Sequence, residues 1–282
     1  MKVELEDIKA LRLSTEAGLL DCRKALQESG GDREAAEALL KEWGLVAMRK
    51  REDRETREGK VFIHAGEDGA AMVELACETD FASLSPLFTE AGERMAEGAL
   101  RRRLTAPDAG LLDILSGLAS QVKEKLEIRR VAYLARPSGG RLETYLHGEG
   151  RIGVLLAVRA DREGAFTDGR ILAMIHDVAL HIAAFKPDFV DKASLPPAAV
   201  EALKEELRQG MAGDEAMGAK PPALREGILA GMLEKRLRER SLLAHGFVRD
   251  EKRPLAAVLG ELRTATGIGL EPLAFACFEA GA

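Results

Sequence analysis

The residue types best suited to chemistry or binding lie together in one stretch, CETDFASLSPLF, which runs from Cys77 to Phe88. The stretch follows the apolar run AMVEL and precedes a segment with helical spacing. Thr79 or Asp80 can cap the turn there, because hydroxyl and carboxylate oxygens accept hydrogen bonds from backbone N–H groups. Phe81 has two alternative roles: it packs inward as core, or it points outward and enters a partner. The residues alone favour the inward role.

A second stretch, GEGRIG at 148–153, has the GxGxxG spacing of loops that bind dinucleotide phosphates. Such a loop must follow a strand and begin a helix, so that the N-terminus of the helix faces the pyrophosphate. The run VLLAV that comes next is strand-like and too short for a helix, so the stretch predicts a hairpin turn. A nucleotide-dependent oxidoreductase is one alternative function, and this loop is its only support.

The histidines and cysteines do not predict a catalytic or metal centre. His176 and His181 are five residues apart, so they do not share one face of a helix as a metal-binding pair does. His64 and His147 each end a predicted strand beside a turn. The cysteines are far apart and form no CxxC pair, which predicts free thiols in a reducing compartment. We therefore expect no enzymatic activity, no cofactor and no metal ion.

Composition and charge limit the class of protein. The chain has 282 residues, of which 46% are hydrophobic and 31% charged, which is typical of a globular protein with about two domains. Its net charge of −6 disfavours a general nucleic-acid binder. Apolar runs such as VLLAV are much shorter than the roughly 20 residues that span a bilayer. MKVELEDIKAL contains no apolar signal segment, so we expect a cytoplasmic protein without direct membrane or nucleic-acid contacts.

The first 44 residues predict three short helices followed by a connector. Apolar residues at helical spacing indicate the first helix. Ser14 or Thr15 is expected to cap a second helix, LLDCRKALQES, which a glycine pair ends. Asp32 is expected to cap a third helix, REAAEALLKEW, which Gly44 ends. Residues 47–60, AMRKREDRETREGK, are almost wholly charged and predict a solvent-exposed connector.

The middle of the chain alternates strand-like and helical segments. The two apolar runs of VFIHAGEDGAAMVELAC flank GEDG, which predicts a hairpin. Ser85 and Pro86 predict the start of a helix, and a further helix covers 109–126. IRRVAYLAR, LETYLHGEG and RIGVLLAVRA predict three antiparallel strands, and ILAMIHDVALHIAAF predicts an apolar helix at 171–185. Because VFIHAGEDG and TYLHGEGRIG resemble each other, we expect two related α+β units.

Residues 187–240 predict two helices, LPPAAVEALKEELRQGM and PPALREGILAGMLEKRLRER, separated by GDEAMGAKPP. Their apolar residues recur at three- and four-residue spacing, so the helices can pack together as a hairpin. Two interpretations stay open: the helices pack only on each other, or they form an exposed arm that also contacts a second copy. A helix, PLAAVLGELRTATG, and a strand, LEPLAFACFEA, follow.

Taken in order, these segments resemble the elongation factor Ts family, the exchange factors of the translational GTPase elongation factor Tu. LRLSTEAGLLDCRKAL is similar to the family's N-terminal signature, and GGDREAAEALLKEWGL follows it. VELACETDF is similar to the strand that carries the family's TDFV motif. IRRVAYL, YLHGEGRIGVLLAV, IHDVALHIAAFKPDFV and GFVRDEKRPLAAVLGEL then come in the family's order. Each segment alone is weakly specific, whereas the ordered set is highly specific and covers nearly the whole chain.

The resemblance implies a fold and a function. The fold is α+β, with a three-helix module like a ubiquitin-associated (UBA) domain, a core of two related antiparallel-sheet and helix subdomains, and an inserted helical hairpin. The implied boundaries are 1–46 for the UBA-like module, 47–60 for the linker, 61–140 for the N-terminal core subdomain, 141–186 with 229–282 for the C-terminal core subdomain, and 187–228 for the dimerisation-type arm. The implied function is binding of elongation factor Tu, GDP-bound or nucleotide-free, and release of its GDP without bond chemistry. A homodimer through the arm is compatible with it. A degenerate scaffold protein with the same fold but no exchange activity is a further alternative function.

The resemblance also assigns site residues. The TDFV motif falls on Thr79, Asp80, Phe81 and Ala82. In the family this corner lies against the GTPase domain, near the magnesium ion that holds the nucleotide phosphates, so Phe81 is expected to act as a wedge that displaces the Mg²⁺ site. Other implied partner contacts are Leu19, Leu20, Ile128 and His147. For the two leucines, packing inside the small module is the open alternative.

The chain departs from the family pattern in four places. Ala82 replaces the usual valine, and SLS at 83–85 replaces an Arg-Asn-like stretch, so the resemblance by itself does not establish the backbone geometry of the corner. Glu16 stands where glycine is common. The sequence ends at CFEAGA without the C-terminal helical extension of some members, and we expect the contacts of that extension to be absent.

Overall fold

The computed structural model describes residues 3–15, 17–49, 51–212 and 221–281; Glu16 therefore lies outside the described residues. The helices are α1 (Leu5–Thr15), α2 (Leu19–Glu28), α3 (Arg33–Arg49), α4 (Asp80–Ser83), α5 (Pro86–Arg102), α6 (Ala109–Val122), α7 (Gly169–Phe185), α8 (Pro197–Ala212), α9 (Pro222–Arg240) and α10 (Leu255–Thr266). The strands are β1 (Glu58–Ala65), β2 (Gly69–Cys77), β3 (Leu126–Ala135), β4 (Gly140–His147), β5 (Ile152–Ala160), β6 (Gly246–Phe247), β7 (Asp250–Pro254) and β8 (Leu270–Glu279). This mixture of helices and antiparallel strands confirms the predicted α+β class.

The chain divides into two compact units. The first unit comprises Met1–Ala135, Leu146–Leu155 and Phe278–Ala282, and the second comprises Arg136–Tyr145 and Leu156–Cys277. The five predicted domain ranges stay predictions. Helix α3 and strand β1 extend into the range 47–60, because α3 continues to Arg49 and β1 begins at Glu58.

Helices α1, α2 and α3 enclose a small apolar core that includes Leu11 and Cys22. The prediction that Ser14 or Thr15 caps α2 is wrong, since Gly18 occupies its N-cap without a side-chain hydrogen bond. Both hydroxyls instead donate to the Leu11 carbonyl at the end of α1. Serine and threonine hydroxyls inside a helix commonly bind the carbonyl three or four residues earlier, so these two are engaged within α1 rather than at the start of α2.

The start of α3 is as predicted, but its end is not. Asp32 caps the helix, and its Oδ1 accepts a hydrogen bond from the Ala35 N–H at 3.1 Å. Gly44 does not end the helix, which continues to Arg49. A Cβ at Gly44 would lie 3.2 Å from the Ser116 Oγ of α6. The glycine therefore allows α3 to approach α6 closely.

Strands β1, β2 and β3 form an antiparallel sheet in that order. The predicted hairpin at GEDG is confirmed, and Gly66 N donates to Gly69 O at 2.8 Å across its turn. Every residue of the central strand β2 is buried. Helix α5 contributes Phe88 and Met95 to the core beside this sheet, and both side chains are fully buried.

Strands β4, β5 and β8 form a second sheet, in the order β4–β5–β8. The three strands predicted between 126 and 160 are all present, but the expectation that they pair together is wrong for the first of them. Strand β3 pairs with β2, with Leu126 opposite Cys77. The partner of a strand depends on contacts between residues far apart in sequence, which the local pattern of β3 does not contain. The strand predicted for LEPLAFACFEA is confirmed as β8.

The predicted connector, 47–60, is not a wholly exposed spacer. Thr56 is buried; its hydroxyl donates to Glu127 Oε2 at 3.2 Å, and its carbonyl accepts from the Arg129 guanidinium. Residues 58–60 belong to β1, and residue 50 lies outside the described residues. Between its charged residues the connector contains groups, such as the Thr56 hydroxyl and carbonyl, that hydrogen-bond to strand β3. Composition alone does not reveal these contacts.

The second unit contains the predicted apolar helix as α7 and the predicted helical hairpin as α8 and α9. The two hairpin helices pack through an apolar cluster whose buried residues are Phe189, Leu203, Leu207, Leu229 and Leu237. Residues 213–220, inside the predicted arm 187–228, lie outside the described residues. Within the described part of the chain, none of the helices combines the length and apolar character needed to cross a bilayer.

Candidate functional site

The corner between β2 and α5 is built by two successive helix caps. Strand β2 ends at Cys77, and Thr79 takes an extended conformation with φ −126° and ψ 155° as the N-cap of the one-turn helix α4. Its Oγ1 accepts a hydrogen bond from Ala82 N at 3.3 Å. Ser85 then caps α5, with its Oγ accepting from Phe88 N at 3.3 Å. The predicted capping role is thus confirmed for Thr79 and for Ser85.

Phe81 points outward, with 82% of its surface exposed. The inward role favoured by the residues alone is wrong. The single turn of α4 buries Ala82 and Ser83, and Phe88, in the first turn of α5, is buried in the core instead. Asp80 is also exposed, and its Oδ1 accepts a hydrogen bond from Phe81 N at 2.9 Å.

Residues of the loop between α6 and β3 form hydrogen bonds with the corner. The Glu124 carboxylate accepts two hydrogen bonds from Thr79, from its N–H at 3.1 Å and from its hydroxyl at 2.7 Å. Glu78 accepts from Lys125 N at 2.5 Å and from the Arg54 guanidinium at 3.1 Å. Sequence reasoning missed these contacts, because 45 residues separate Thr79 from Glu124 and no local motif links them.

Two ionisable groups at the corner have shifted pKa values. Burial, followed by the negative charges of Glu124 and Glu58, raises the pKa of the Cys77 thiol to about 12. The thiol therefore stays protonated, and it donates to Thr79 O at 3.1 Å. Desolvation on its own raises the pKa of Glu78, but the Lys125 N–H and the Arg54 guanidinium outweigh it and hold that pKa below its usual range. Glu78 is thus a carboxylate at neutral pH.

Two further apolar side chains are exposed shortly after Phe81 in the sequence. Leu84 is 60% exposed, directly after α4, and Leu87 is exposed in the first turn of α5. Leu84 lies in the SLS stretch that departs from the family pattern. Neither leucine was predicted as a site residue, although Phe81, Leu84 and Leu87 follow one another at three-residue spacing.

The remaining predicted site residues differ in exposure. Leu20 is 75% exposed and Leu19 is also exposed, so the alternative that they form the core of the small module is wrong. Ile128 and Ala82 are buried in the core beneath the sheet. In the first sheet Ile128 pairs with Leu75, two residues before the end of β2, so it lies near the base of the corner.

His147 is exposed at the end of β4, immediately before the turn at 148–151. The turn contacts the edge strand β1, since Val61 N donates to Gly150 O at 2.7 Å. In β1 the neighbouring residue, Lys60, pairs with Leu75, which pairs in turn with Ile128. Gly150 also approaches this row, since a Cβ on it would lie 3.4 Å from the Lys60 Cβ, and the row ends at Ile128 two strands away.

The geometry of 148–153 is not that of a dinucleotide loop. Arg151 N donates to Gly148 O at 3.0 Å, which closes a turn, and strand β5 follows where a phosphate-binding loop requires a helix. The predicted hairpin turn is confirmed. Among the described residues, no group of three or more histidine, cysteine, aspartate or glutamate side chains is arranged to hold a metal ion.

Comparison with known protein families shows which family this chain belongs to. The sequence model of the family described as "Elongation factor TS" matches residues 78–282, which is more than half of the chain. The chain belongs to the elongation factor Ts family. The predicted resemblance is thereby confirmed.

Full-length relatives support this membership in the elongation factor Ts family. The protein named elongation factor Ts from Treponema denticola is 32% identical over 281 residues, covering 100% of this chain and 99% of the relative. Its namesake from Aquifex aeolicus is 34% identical over 298 residues, with 100% and 99% covered. The one from Treponema pallidum (strain Nichols) is 34% identical over 278 residues, with 95% and 94% covered.

The elongation factor Ts match begins at Glu78, directly before Thr79, so the whole corner lies inside the matched family range. Leu19 and Leu20 lie outside that range, but the alignment with the Treponema denticola relative covers the whole chain. All eight predicted site residues belong to the first compact unit.

Proposed function

We propose that this member of the elongation factor Ts family binds elongation factor Tu in its GDP-bound and nucleotide-free states and promotes GDP release. It makes and breaks no covalent bond, so it is not an enzyme in the chemical sense. The observation that carries the proposal is the outward orientation of Phe81, 82% exposed on a capped single turn inside the matched family range. It acts in the cytoplasm, alongside translation.

The corner acts by shape and charge. Phe81 inserts between elements of the GTPase domain, and full burial of a phenylalanine contributes about 1.5–3 kcal/mol, which helps to hold a displaced partner conformation. The exposed Asp80 carboxylate enters the polar network around the magnesium ion of the partner. Magnesium requires near-ideal octahedral geometry, so a small displacement of its supports weakens the site. The nucleotide phosphates are then poorly neutralised, and GDP leaves.

Thermodynamic reciprocity limits what the factor can do. If the chain weakens GDP binding by some factor, GDP weakens binding of the chain by the same factor. The chain therefore cannot select GTP over GDP by itself. It opens the site, and the relative nucleotide concentrations decide which nucleotide enters.

The other predicted residues divide into contacts and supports. Leu19, Leu20 and His147 are exposed and contact the partner directly. Ile128 and Ala82 are buried, so they act by shaping the sheet and the turn beneath the contact. Contacts distant from Phe81 hold the complex together, whereas Phe81 changes the nucleotide site.

A second, separate proposal is that the chain forms a homodimer through the arm, 187–228. Leu224 in α9 is more than half exposed, although it belongs to the apolar series of a helical hairpin. Light scattering of the purified chain decides the question, and the mass of a monomer at micromolar concentrations contradicts dimerisation through 187–228.

Stopped-flow release of fluorescent GDP from the cognate GTPase tests the exchange proposal. We expect the chain to accelerate release and Phe81→Ala to abolish most of the acceleration, with Leu112→Ala, another exposed apolar residue in α6, as the matched control. Acceleration that Phe81→Ala leaves unchanged contradicts the wedge. Titration with a fluorescent dinucleotide is expected to show no saturable binding, and saturation there favours the oxidoreductase.

A further inference from the structure

Glu124 connects the corner to the rest of the first unit through both of its carboxylate oxygens. Oε2 accepts the Thr79 N–H at 3.1 Å, and Oε1 accepts the Thr79 hydroxyl at 2.7 Å. Because the hydroxyl proton is directed at Glu124, a lone pair of Thr79 Oγ1 is left for the Ala82 N–H, at 3.3 Å. Glu124 thus fixes the rotamer in which Thr79 caps the turn that carries Phe81.

Helix α4 needs such an anchor because it is only four residues long. Isolated helices shorter than about 12 residues are marginal in water, since few hydrogen bonds offset the cost of ordering the backbone. No apolar burial of Phe81 contributes, because that side chain is exposed. The orientation of Phe81 therefore depends on the burial of Ala82 and Ser83 in the same turn, and on the Thr79 cap with the groups that hold it.

The loop that carries Glu124 is itself fixed at both sides. Lys123 ends α6 in a left-handed conformation with φ 60°. The Lys125 backbone N–H donates to Glu78, and its ammonium donates to Glu52 O at 2.6 Å and Arg54 O at 2.8 Å. Glu124 therefore binds Thr79 from a loop whose next residue, Lys125, is itself hydrogen-bonded to Glu78 and to the connector.

We propose that Glu124 is a positioning residue for nucleotide exchange, which holds Thr79 and α4 so that Phe81 is presented outward before the partner binds. The effect of Glu124 on GDP release rests on the proposed exchange function. Its effect on the orientation of Phe81 is independent of that function. A carboxylate is required, because Thr79 offers two donors and an amide side chain supplies only one acceptor oxygen.

Two variants with matched charge test the proposal. Glu124→Gln removes one acceptor from Thr79, whereas Glu127→Gln removes the same charge three residues away, where the carboxylate binds Thr56 rather than the corner. We expect Glu124→Gln to lower the maximal GDP release rate at saturating factor roughly tenfold, as loss of one charge-assisted hydrogen bond implies. The concentration of factor at half-saturation should change little, and Glu127→Gln should leave the maximal rate unchanged.

A purely structural role predicts a different pattern. Loss of folded protein is compensated at saturating factor, so it raises the half-saturating concentration and spares the maximal rate. In a Phe81→Ala background, Glu124→Gln should have no further effect on the maximal rate, because both act through the same side chain. An unchanged maximal rate for Glu124→Gln, or an equal loss in both backgrounds, overturns the proposal.

A measurement without the partner separates this proposal from the exchange function. With 4-fluorophenylalanine incorporated, and its Phe81 signal assigned by Phe81→Leu, ¹⁹F NMR should show one ordered environment for Phe81 in the parent chain. Glu124→Gln should shift or broaden that signal, and Glu127→Gln should not. An unaltered Phe81 signal in Glu124→Gln overturns positioning. Failure of the parent chain to release GDP, with the NMR change present, overturns only the exchange function.

Discussion

Glu74 is fully buried in the middle of β2, and its carboxylate binds Arg130 Nε directly across the β2–β3 pair. The register shifts between Glu74 and Leu75, so Arg129 is an extra residue in β3. A bulge redirects side chains, which lets consecutive arginines reach the same carboxylate; the Arg129 Nη1 lies 3.5 Å from Glu74 Oε1. The same two arginines also bind Thr56 O and Glu279 O. Through these arginines, the buried Glu74 carboxylate is linked to the connector at Thr56 and to the last residue of β8, Glu279.

Removing both arginines should lower the free energy of unfolding, because the buried Glu74 carboxylate would lose its cationic partners. The double variant Arg129→Met with Arg130→Met leaves Glu74 without a cation, so we expect the free energy of unfolding in urea to fall by about 3 kcal/mol or more. Adding Glu74→Leu should restore most of the loss, because an apolar side chain needs no partner. A double variant within about 1 kcal/mol of the parent contradicts this account.

Two helical glycines should respond in opposite ways to alanine. A Cβ at Gly92 in α5 would lie 2.2 Å from Phe62 Cε2, so Gly92→Ala should destabilise the protein by about 1–3 kcal/mol through overpacking. Gly117 in α6 has open space around the same position, so Gly117→Ala should stabilise by about 0.5–1 kcal/mol through helix propensity. Urea denaturation of both variants measures the difference. Equal effects would contradict the close contact between α5 and the Phe62 ring.

His181 should make the protein less stable in mild acid. Its Nδ1 accepts the Val248 N–H at 3.1 Å, and it packs against Phe185, Phe247 and His245. Burial, with a smaller contribution from His245, lowers the pKa of His181 to about 4 from 6.5. Between these values the unfolded chain takes up the proton and the folded protein does not, so the free energy of unfolding falls as pH falls.

This loss amounts to up to about 3 kcal/mol between pH 6.5 and pH 4. Denaturation at several pH values should show it in the parent chain and in His176→Gln, whose imidazole is half exposed. In His181→Phe the slope over this window should be smaller. Parallel pH profiles for the parent and His181→Phe would contradict the assignment.

Leu20 and Phe81 should affect different stages of exchange. Leu20 is exposed in the small helical module and not at the corner, so Leu20→Ser should raise the half-saturating concentration several-fold and leave the maximal GDP release rate unchanged. Leu13→Ser is the matched control, because Leu13 is 86% exposed in the same module and is assigned no contact. A lower maximal rate for Leu20→Ser contradicts this division between binding and release.

Local features of this chain were predictable from sequence because local physics produces them. The caps at Asp32 and Ser85, the GEDG hairpin and the apolar helix at 171–185 each depend on residues a few positions apart. Their spacing and residue types therefore suffice to indicate them. The order of such segments was also enough to recognise the family.

Other predictions failed where distant contacts decide the outcome. Gly44 has the residue type of a helix end, but the approach of α6 explains it. Strand β3 has an ordinary strand pattern, and its pairing with β2 became visible only in the fold. The support of Thr79 by Glu124 has no signal in either segment.

The sequence by itself determined most of the helices and strands, the capping residues of the TDF corner and membership in the elongation factor Ts family. Only the tertiary structure decided that Phe81 faces outward. The local sequence of a TDF turn is compatible with either direction of its phenylalanine, although burial of the ring favours the inward one. In the fold, Phe88 is fully buried in the core beside the sheet, and the Thr79 cap is hydrogen-bonded to Glu124 from a segment 45 residues away, so contacts distant in sequence accompany the outward orientation of Phe81.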